Sequence, residues 1–421
     1  MASARLEQIS SHLSGTTSQG TQIGVKTPDD VVIVSCVRTP ICRARKGLLK
    51  DTKHEYLLSV ALKAVTERVN LDKSLVDDIV VGNVLPPGSG ANLARIAMLH
   101  AGYPDKTSVM TVHRQCSSGL QAVTFIAALI REGTIDIGIG AGVESMSQFY
   151  GSHQLKKESL DQDMLASDSN IADCLMPMGI VSENVASEFG VSREKQDKFS
   201  AESHRRAYFA QRTGLFKREI VPVTTNYIDD KHGGKVSRIT VCNDDGIRPT
   251  TSADGLSKLK PAFRKDGSTT AGNASQVSDG AAAVLLMKRS RAIELNLPIL
   301  AKYIVSDVYG VPPRINGIGP IYAIPNACAK ANISPSDIDI IELNEAFASQ
   351  AVYCIEKLGL SYDKVNPLGG AIALGHPLGC TGARQVSTLL YNLIRTKKRL
   401  GAISMCIGSG MGMCSIFEAE F

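Results

Sequence analysis

Three short segments in the first half of the chain have counterparts, in the same order, in its last third. Val76-Asp77-Asp78-Ile79-Val80-Val81 parallels Ile338-Asp339-Ile340-Ile341-Glu342-Leu343. Cys116-Ser117-Ser118-Gly119 parallels His376-Pro377-Leu378-Gly379, and Ile139-Gly140-Ala141-Gly142 parallels Ile407-Gly408-Ser409-Gly410. Any one match could arise by chance in a glycine-rich chain. Three at nearly constant separation argue for a duplicated unit split by an insertion. Such a pair would set its two Gly-rich strand ends around one pseudo-twofold centre, and that is where a site is expected.

The unit itself reads as α/β. Strand-like runs at Val31 to Cys36, Asp78 to Val84 and Ile135 to Ala141 alternate with helical periodicity at Tyr56 to Val69, Ala91 to Ala101 and Ser117 to Arg131. From about Ser147 to Ser278 the alternation loosens, with one clear helix at Arg193 to Thr213. It returns from Pro298: strands at Ile299 to Val305, Ile338 to Leu343, Ala402 to Cys406 and Cys414 to Glu418, helices at Ile321 to Ala331, Ser349 to Leu358 and Thr381 to Arg395. The expected organisation is a flexible leader over 1–28 and a first α/β half made of 29–148 plus 279–297. An inserted loop domain at 149–278 and a second α/β half at 298–421 complete it. A chain of 421 residues has room for this, since domains average roughly 150 residues.

Composition removes several classes of function. No run approaches the roughly 18 apolar residues of a membrane span. The net charge of +5 is too small and dispersed for nucleic acid, though it suits an anionic small molecule. Aromatic residues make up only 5% and Trp is absent, which leaves no stacking platform for single-stranded nucleic acid. The 10 cysteines are scattered, and none is spaced as in zinc ribbons or thioredoxins, so free thiols in a reducing compartment are expected.

Four segments could carry chemistry. Cys116 stands where a helix should begin, and unpaired backbone N–H groups there favour a thiolate. The Ser and Gly residues after it clear space for a substrate. His113 is nearby, but a helix start between the two makes it a surface residue or an indirect neighbour. Asn366 to Gly382 lacks any Asp, Glu, Lys or Arg and brackets His376 with Gly and Pro, where a neutral imidazole can act as donor or base. The duplication places His376 opposite Cys116. A second thiol, Cys406, ends a strand before Gly408-Ser409-Gly410-Met411-Gly412. A dinucleotide-binding turn would need a following helix and a distant acidic residue, for which too little chain remains. Glycine there, and in Gly138 to Gly142, is expected to bring backbone N–H groups to a reacting oxygen. Asn344, in Asn344-Glu345-Ala346-Phe347, reads locally as a helix cap. Thr269 to Ala281 is small and polar, suited to a narrow tunnel or a tight turn.

Together the Cys116 segment, Asn-Glu-Ala-Phe, Gly-His-Pro-Leu-Gly and Cys-Ile-Gly-x-Gly-Met-Gly resemble the thiolase family, from about Val31 to the C-terminus. Pro177 stands before Met178-Gly179 where biosynthetic members commonly carry His, which favours the degradative 3-ketoacyl-CoA branch that peroxisomes use. His113 departs from the Asn usual at that place in the family. The resemblance implies a five-layered αβαβα fold, a homodimer and no cofactor, with CoA and 3-ketoacyl-CoA as substrates. It implies the last step of fatty acid β-oxidation by a ping-pong route through an acyl-cysteine. By resemblance Cys116 is the nucleophile, His376 activates it, and Cys406 is the acid/base. Asn344 holds a water that, with His376, stabilises an enolate, and the N–H groups of Cys116 and Gly408 form an oxyanion hole. Ser275 and Arg248 look similar to positions that contact the pantetheine and nucleotide parts of CoA.

The leader contains Arg5-Leu6, five residues, then His12-Leu13, which resembles an N-terminal peroxisomal targeting signal read by an import receptor. A frayed amphipathic helix carrying Leu6, Ile9 and Leu13 on one face is the plain alternative. The expected location is the peroxisome, or a related organelle of the glyoxysome or glycosome type. Other readings are an acetoacetyl-CoA thiolase working toward condensation, a non-catalytic CoA or lipid carrier on the same fold, and a cysteine-bound metal protein.

Overall fold

The computed structural model describes residues 22–151, 157–230 and 233–421. The targeting signal expected at Arg5, Leu6, His12 and Leu13 lies outside them. Residues 22–25, the tail of the expected leader, are tied to the body: the Lys302 ammonium donates to the carbonyls of Gln22 and Val25 at 2.7 and 2.6 Å, and the Gly24 N–H to Glu418 at 2.8 Å.

The first set of strands comprises β1 (Val31–Arg38), β2 (Cys42–Arg43), β3 (Asp78–Gly82), β4 (Ser108–Val112) and β5 (Ile137–Ser145). A hairpin of β6 (Val223–Asp229) and β7 (Lys235–Val241) follows, then β8 (Ser278–Lys288). The last set is β9 (Ala301–Gly310), β10 (Ile340–Leu343), β11 (Leu400–Ile407) and β12 (Met411–Ala419).

The sheet runs β4-β3-β5-β8-β1 and continues β9-β12-β11-β10. The second part mirrors the first. β3 and β5 are parallel, as are β10 and β11, while β8 and β12 each return antiparallel. Where β4 flanks β3, Val365 makes an isolated parallel bridge to Ile341. The parts join where β1 meets β9, at Val32 opposite Lys302 and Ile33 opposite Ala301.

Period-two alternation divides each strand between two cores. In β1, Val31 and Ile33 enter a central cluster, whereas Val32 and Val34 enter an outer one. In β8, Val284 and Leu286 face the centre, and Leu285 and Met287 face outward. Strands covered on both faces read as continuous apolar runs, which is why β1 is Val-Val-Ile-Val-Ser-Cys-Val-Arg. The central cluster is filled by two helices, Ser118–Glu132 from the first part and Leu378–Thr396 from the second. The helices His54–Glu67 and Ala91–His100 cover one outer face, and Pro320–Lys330 and Ala348–Lys357 the other. The result is a five-layered αβαβα arrangement. Each fully buried Leu or Ile in these layers contributes about 1.5–3 kcal/mol.

Glycine lets the central helices meet. A Cβ on Gly119 would lie 2.6 Å from the Gly379 carbonyl oxygen, and one on Gly142 would lie 2.2 Å from it. A Cβ on Gly382 would lie 2.3 Å from the Leu120 nitrogen. The expectation that Gly138 to Gly142 presents N–H groups to a reacting oxygen is therefore corrected. These glycines lie inside β5, and a Cβ on Gly138 or Gly140 would strike Ile126 or Val123 of the first central helix. They exist for close packing.

Candidate active site

The glycine seam brings the starts of the two central helices together. Cys116 precedes the helix that begins at Ser118, and His376 precedes the helix that begins at Leu378. Before Cys116 the chain turns sharply: Gln115 has φ +46°, a left-handed backbone that costs a non-glycine residue about 1 kcal/mol or more. That turn points Cys116 into a cavity of about 610 Å³, which His376 also lines.

His376 is buried and its ring is held from both sides. Its Nδ1 lies 2.6 Å from Thr381 Oγ1, while the Thr381 hydroxyl donates to the Pro377 carbonyl at 3.3 Å. Since a hydroxyl carries one proton, this chain makes Nδ1 the donor and leaves Nε2 with its lone pair. Asn344 Nδ2 stands 3.4 Å from Nε2. Burial, with Arg384 nearby, lowers the imidazole to about 3, so it rests neutral.

Burial also pushes the Cys116 thiol up to about 11, against the pull of the Gly408 N–H and its own N–H, both directed at the sulfur, while Glu144 adds to the rise. The thiol and imidazole therefore rest uncharged. Cys406, at the end of β11, is fully enclosed, and its thiol is raised well above the ordinary range by burial and then by Cys116. The two sulfurs are thus electrostatic neighbours. Asn344 is buried after β10, and its Oδ1 has no protein partner, leaving an acceptor free.

The walls are mostly apolar: Met146, Tyr150, Leu175, Met176, Pro177, Met178, Phe263, Val277, Phe347 and Leu378. Phe263 packs edge-on to Phe347, with centroids 6.4 Å apart, and rests on Gly179, where a Cβ would come within 2.2 Å of the ring. Ser275 lines the same cavity, its N–H bonded to the Ala346 carbonyl at 3.0 Å.

The structure thus gathers Cys116, His376, Ser275 and the Gly408 N–H, with Asn344 behind the imidazole and Cys406 behind the thiol. Arg248 is apart: it is exposed, outside the cavity wall, and its N–H bonds to His204 Nδ1 at 3.1 Å. His113 is exposed, and its Nδ1 accepts the Gln115 N–H at 3.4 Å. Sequence reasoning missed Thr381 and Glu144. Thr381 stands in the first turn of the helix that His376 precedes, which was a usable signal. Among the described residues, no helix is long and apolar enough to cross a membrane, and no group of three or more His, Cys, Asp or Glu is placed to hold a metal ion.

A duplicated αβαβα body with a thiol and an imidazole at matched helix starts is the pattern of one class. Residues 31–290 match the thiolase N-terminal domain and residues 297–419 the thiolase C-terminal domain. The chain belongs to the thiolase family. It is 55% identical over 424 aligned residues to the peroxisomal 3-ketoacyl-CoA thiolase of Homo sapiens, covering 98% of this chain and 99% of that one. Its structure is similar to the dimeric peroxisomal thiolase of Saccharomyces cerevisiae, with TM-score 0.86, 47% identity and coverage of 94% and 99% of the two chains. It is also similar to human mitochondrial 3-ketoacyl-CoA thiolase in complex with CoA, with TM-score 0.82, 36% identity and coverage of 93% and 98%.

Proposed function

We propose that this chain cleaves 3-ketoacyl-CoA with CoA, giving acetyl-CoA and an acyl-CoA two carbons shorter, as the last step of fatty acid β-oxidation. The observation that carries the reading is the meeting of Cys116 and His376 in one apolar-walled cavity, with the Gly408 N–H on the sulfur. The neutral His376 Nε2 takes the Cys116 proton as the sulfur adds to the 3-keto carbon. Collapse of that adduct breaks the bond between carbons 2 and 3. The electron pair leaves as the enolate of acetyl-CoA, which the imidazolium and an Asn344-held water stabilise at oxygen. Cys406 delivers a proton to carbon 2, and acetyl-CoA departs, leaving an acyl thioester on Cys116. CoA then enters, Cys406 takes its thiol proton, and the CoA sulfur displaces Cys116, which recovers its proton from the His376 imidazolium. The N–H groups of Cys116 and Gly408 hold the thioester oxygen. Covalent catalysis thus divides a difficult carbon–carbon scission into two easier transfers.

The apolar wall from Met146 to Phe347 suits the alkyl part of the acyl group. Ser275 lies along the pantetheine path, and Arg248, outside the cavity, meets the nucleotide end of CoA. In this reading residues 149–278 form the CoA-binding insertion, between a half made of 29–148 plus 279–297 and a half at 298–421. CoA is a substrate, and the reaction uses no cofactor. The protein works as a homodimer in the peroxisome, delivered by an import receptor that reads Arg5, Leu6, His12 and Leu13.

The test is a chain-length series of 3-ketoacyl-CoA substrates mixed with CoA and followed by chromatography of the acyl-CoA products. The account expects acetyl-CoA and a two-carbon-shorter acyl-CoA in equal amounts, with longer chains cleaved at least as well as acetoacetyl-CoA. Activity confined to acetoacetyl-CoA would favour the condensing enzyme, and no cleavage at all would favour a carrier.

A further inference from the structure

One buried carboxylate beside the two helix starts is left unused by this mechanism. Glu144 is the penultimate residue of β5, opposite Gly280 of β8, and is fully enclosed. An enclosed carboxylate persists only where its oxygens are satisfied. Oε1 accepts the Leu85 N–H at 3.1 Å, and Oε2 accepts the Gly379 N–H at 2.9 Å. Leu85 lies just past the end of β3. Gly379 is in the first turn of the second central helix, three residues after His376. One side chain therefore clamps a strand end of the first copy to the helix start of the second. The clamp sits within the glycine seam, where a Cβ on Gly379 would lie 2.7 Å from the Gly82 carbonyl oxygen.

The charged and titratable groups facing Glu144 are few. Cys116 faces it from just before the first central helix, Cys380 from the second, and Asp279 from β8. Among the described residues it makes no ion pair. Burial, followed in smaller part by Asp279, raises it to about 7, while the N–H groups of Gly379, Leu85 and Val84 pull the other way. Bonds from N–H groups to a carboxylate are stronger than to a neutral acceptor, so the ionised form is the better clamp.

We propose that Glu144 is a positioning residue for the reaction at Cys116: it holds the His376 helix in place against the first copy while its charge faces the thiol. The proposal rests on the reading that Cys116 becomes acylated and His376 takes its proton. It separates two properties, reach and charge. Glu144→Asp keeps the charge and shortens the reach, whereas Glu144→Gln keeps the reach and removes the charge.

Both variants of the full chain are assayed for kcat and KM, for acyl-Cys116 by mass spectrometry, and for the pH dependence of iodoacetamide alkylation at Cys116. Circular dichroism checks their fold. Glu144→Asp should lose roughly 10- to 100-fold in kcat, the scale of a small misplacement of catalytic groups. Its KM for CoA and its alkylation profile should stay close to those of the parent. In Glu144→Gln the alkylation profile should move to lower pH even as kcat falls, because a negative charge no longer opposes the thiolate. Parent-like kcat in both variants overturns the proposal. So does an unmoved alkylation profile in Glu144→Gln, which would leave only a structural role. Should Glu144→Asp fail to fold, Glu144→Gln decides alone. If the parent protein forms no acyl-Cys116, the underlying reading fails instead; if it does while the variants behave normally, only the role of Glu144 falls.

Discussion

The two copies of the α/β unit share strand order, strand direction and an inner helix, yet they differ where that helix starts. The first copy places Cys116 there, on a strained turn facing the cavity. The second places His376, pinned by Thr381 and neighboured by Asn344. The second also supplies Cys406 and the Gly408 N–H. In the proposed mechanism the nucleophile thus comes from one copy, and the groups that move protons come from the other. The shared framework, packed through Gly119, Gly379 and Gly382, fixes the distance between the helix starts. Chemistry is then decided by a few residues at those starts. Duplication followed by divergence at two equivalent points is enough to build a site that neither copy contains alone.

That division of labour can be broken from either side. Removing the first copy's contribution should be most severe: Cys116→Ala is expected to lower kcat by about 10⁴-fold or more, because no covalent route remains. Stopped assays of acetyl-CoA release check this, and near-normal turnover would show that the nucleophile lies elsewhere. His376→Ala removes the second copy's base and should cost roughly 10²- to 10⁴-fold. Its alkylation by iodoacetamide at neutral pH should slow as well, since Cys116 then has no proton acceptor.

A second buried imidazole sharpens the contrast. His54 is enclosed between Asn83, 3.2 Å from its Nε2, and the ring of Phe149, away from the cavity wall. Burial lowers it to about 4. An unfolded chain takes up that proton near pH 6.5. Between those values the unfolded state binds more protons, so stability is present above pH 6.5 and is lost as pH falls toward 4. The loss is up to about 3 kcal/mol from this one group. His54→Gln should be less stable than the parent at pH 7, and the gap in melting temperature should narrow as pH falls to 4. Its kcat at pH 7 should stay within about threefold, unlike that of His376→Ala. Among substitutions at the site, the smallest effect is expected at Thr381→Val. Losing the acceptor for His376 Nδ1–H frees the tautomer and should cost about tenfold in kcat with little change in KM.

Much of this was legible in the sequence because the signals are local. The helix expected at Arg193 to Thr213 is observed at Arg193–Arg212, and that at Ala91 to Ala101 at Ala91–His100. The strand expected at Ile338 to Leu343 is Ile340–Leu343. Apolar periodicity within one element was sufficient. Several strands escaped, β4 and β8 among them. β4 is a half-exposed edge strand, Ser-Val-Met-Thr-Val, with no continuous apolar run. β8, Ser278–Lys288, opens on Ser-Asp-Gly-Ala-Ala-Ala, small residues that fit a strand only because both faces are covered by other layers. The hairpin β6–β7 was hidden because its exposed, charged strands carry little pattern.

The site was legible for the same reason and to the same depth. Cys116, His376 and Cys406 stand out beside glycine, which marks close approach. Glu144 does not, because its role arises from partners at positions 85 and 379, which only the folded chain brings near. Gly138 to Gly142 misled for a related reason: glycine that admits a neighbouring helix looks identical, in sequence, to glycine that admits a substrate.

The most direct test is mass spectrometry of the protein quenched within one turnover of mixing with a 3-ketoacyl-CoA, before CoA is added. A mass increase equal to the shortened acyl group, located on Cys116 and removed by CoA as the matching acyl-CoA, is the predicted result. An acyl group on another residue, or turnover with no covalent adduct, would contradict it.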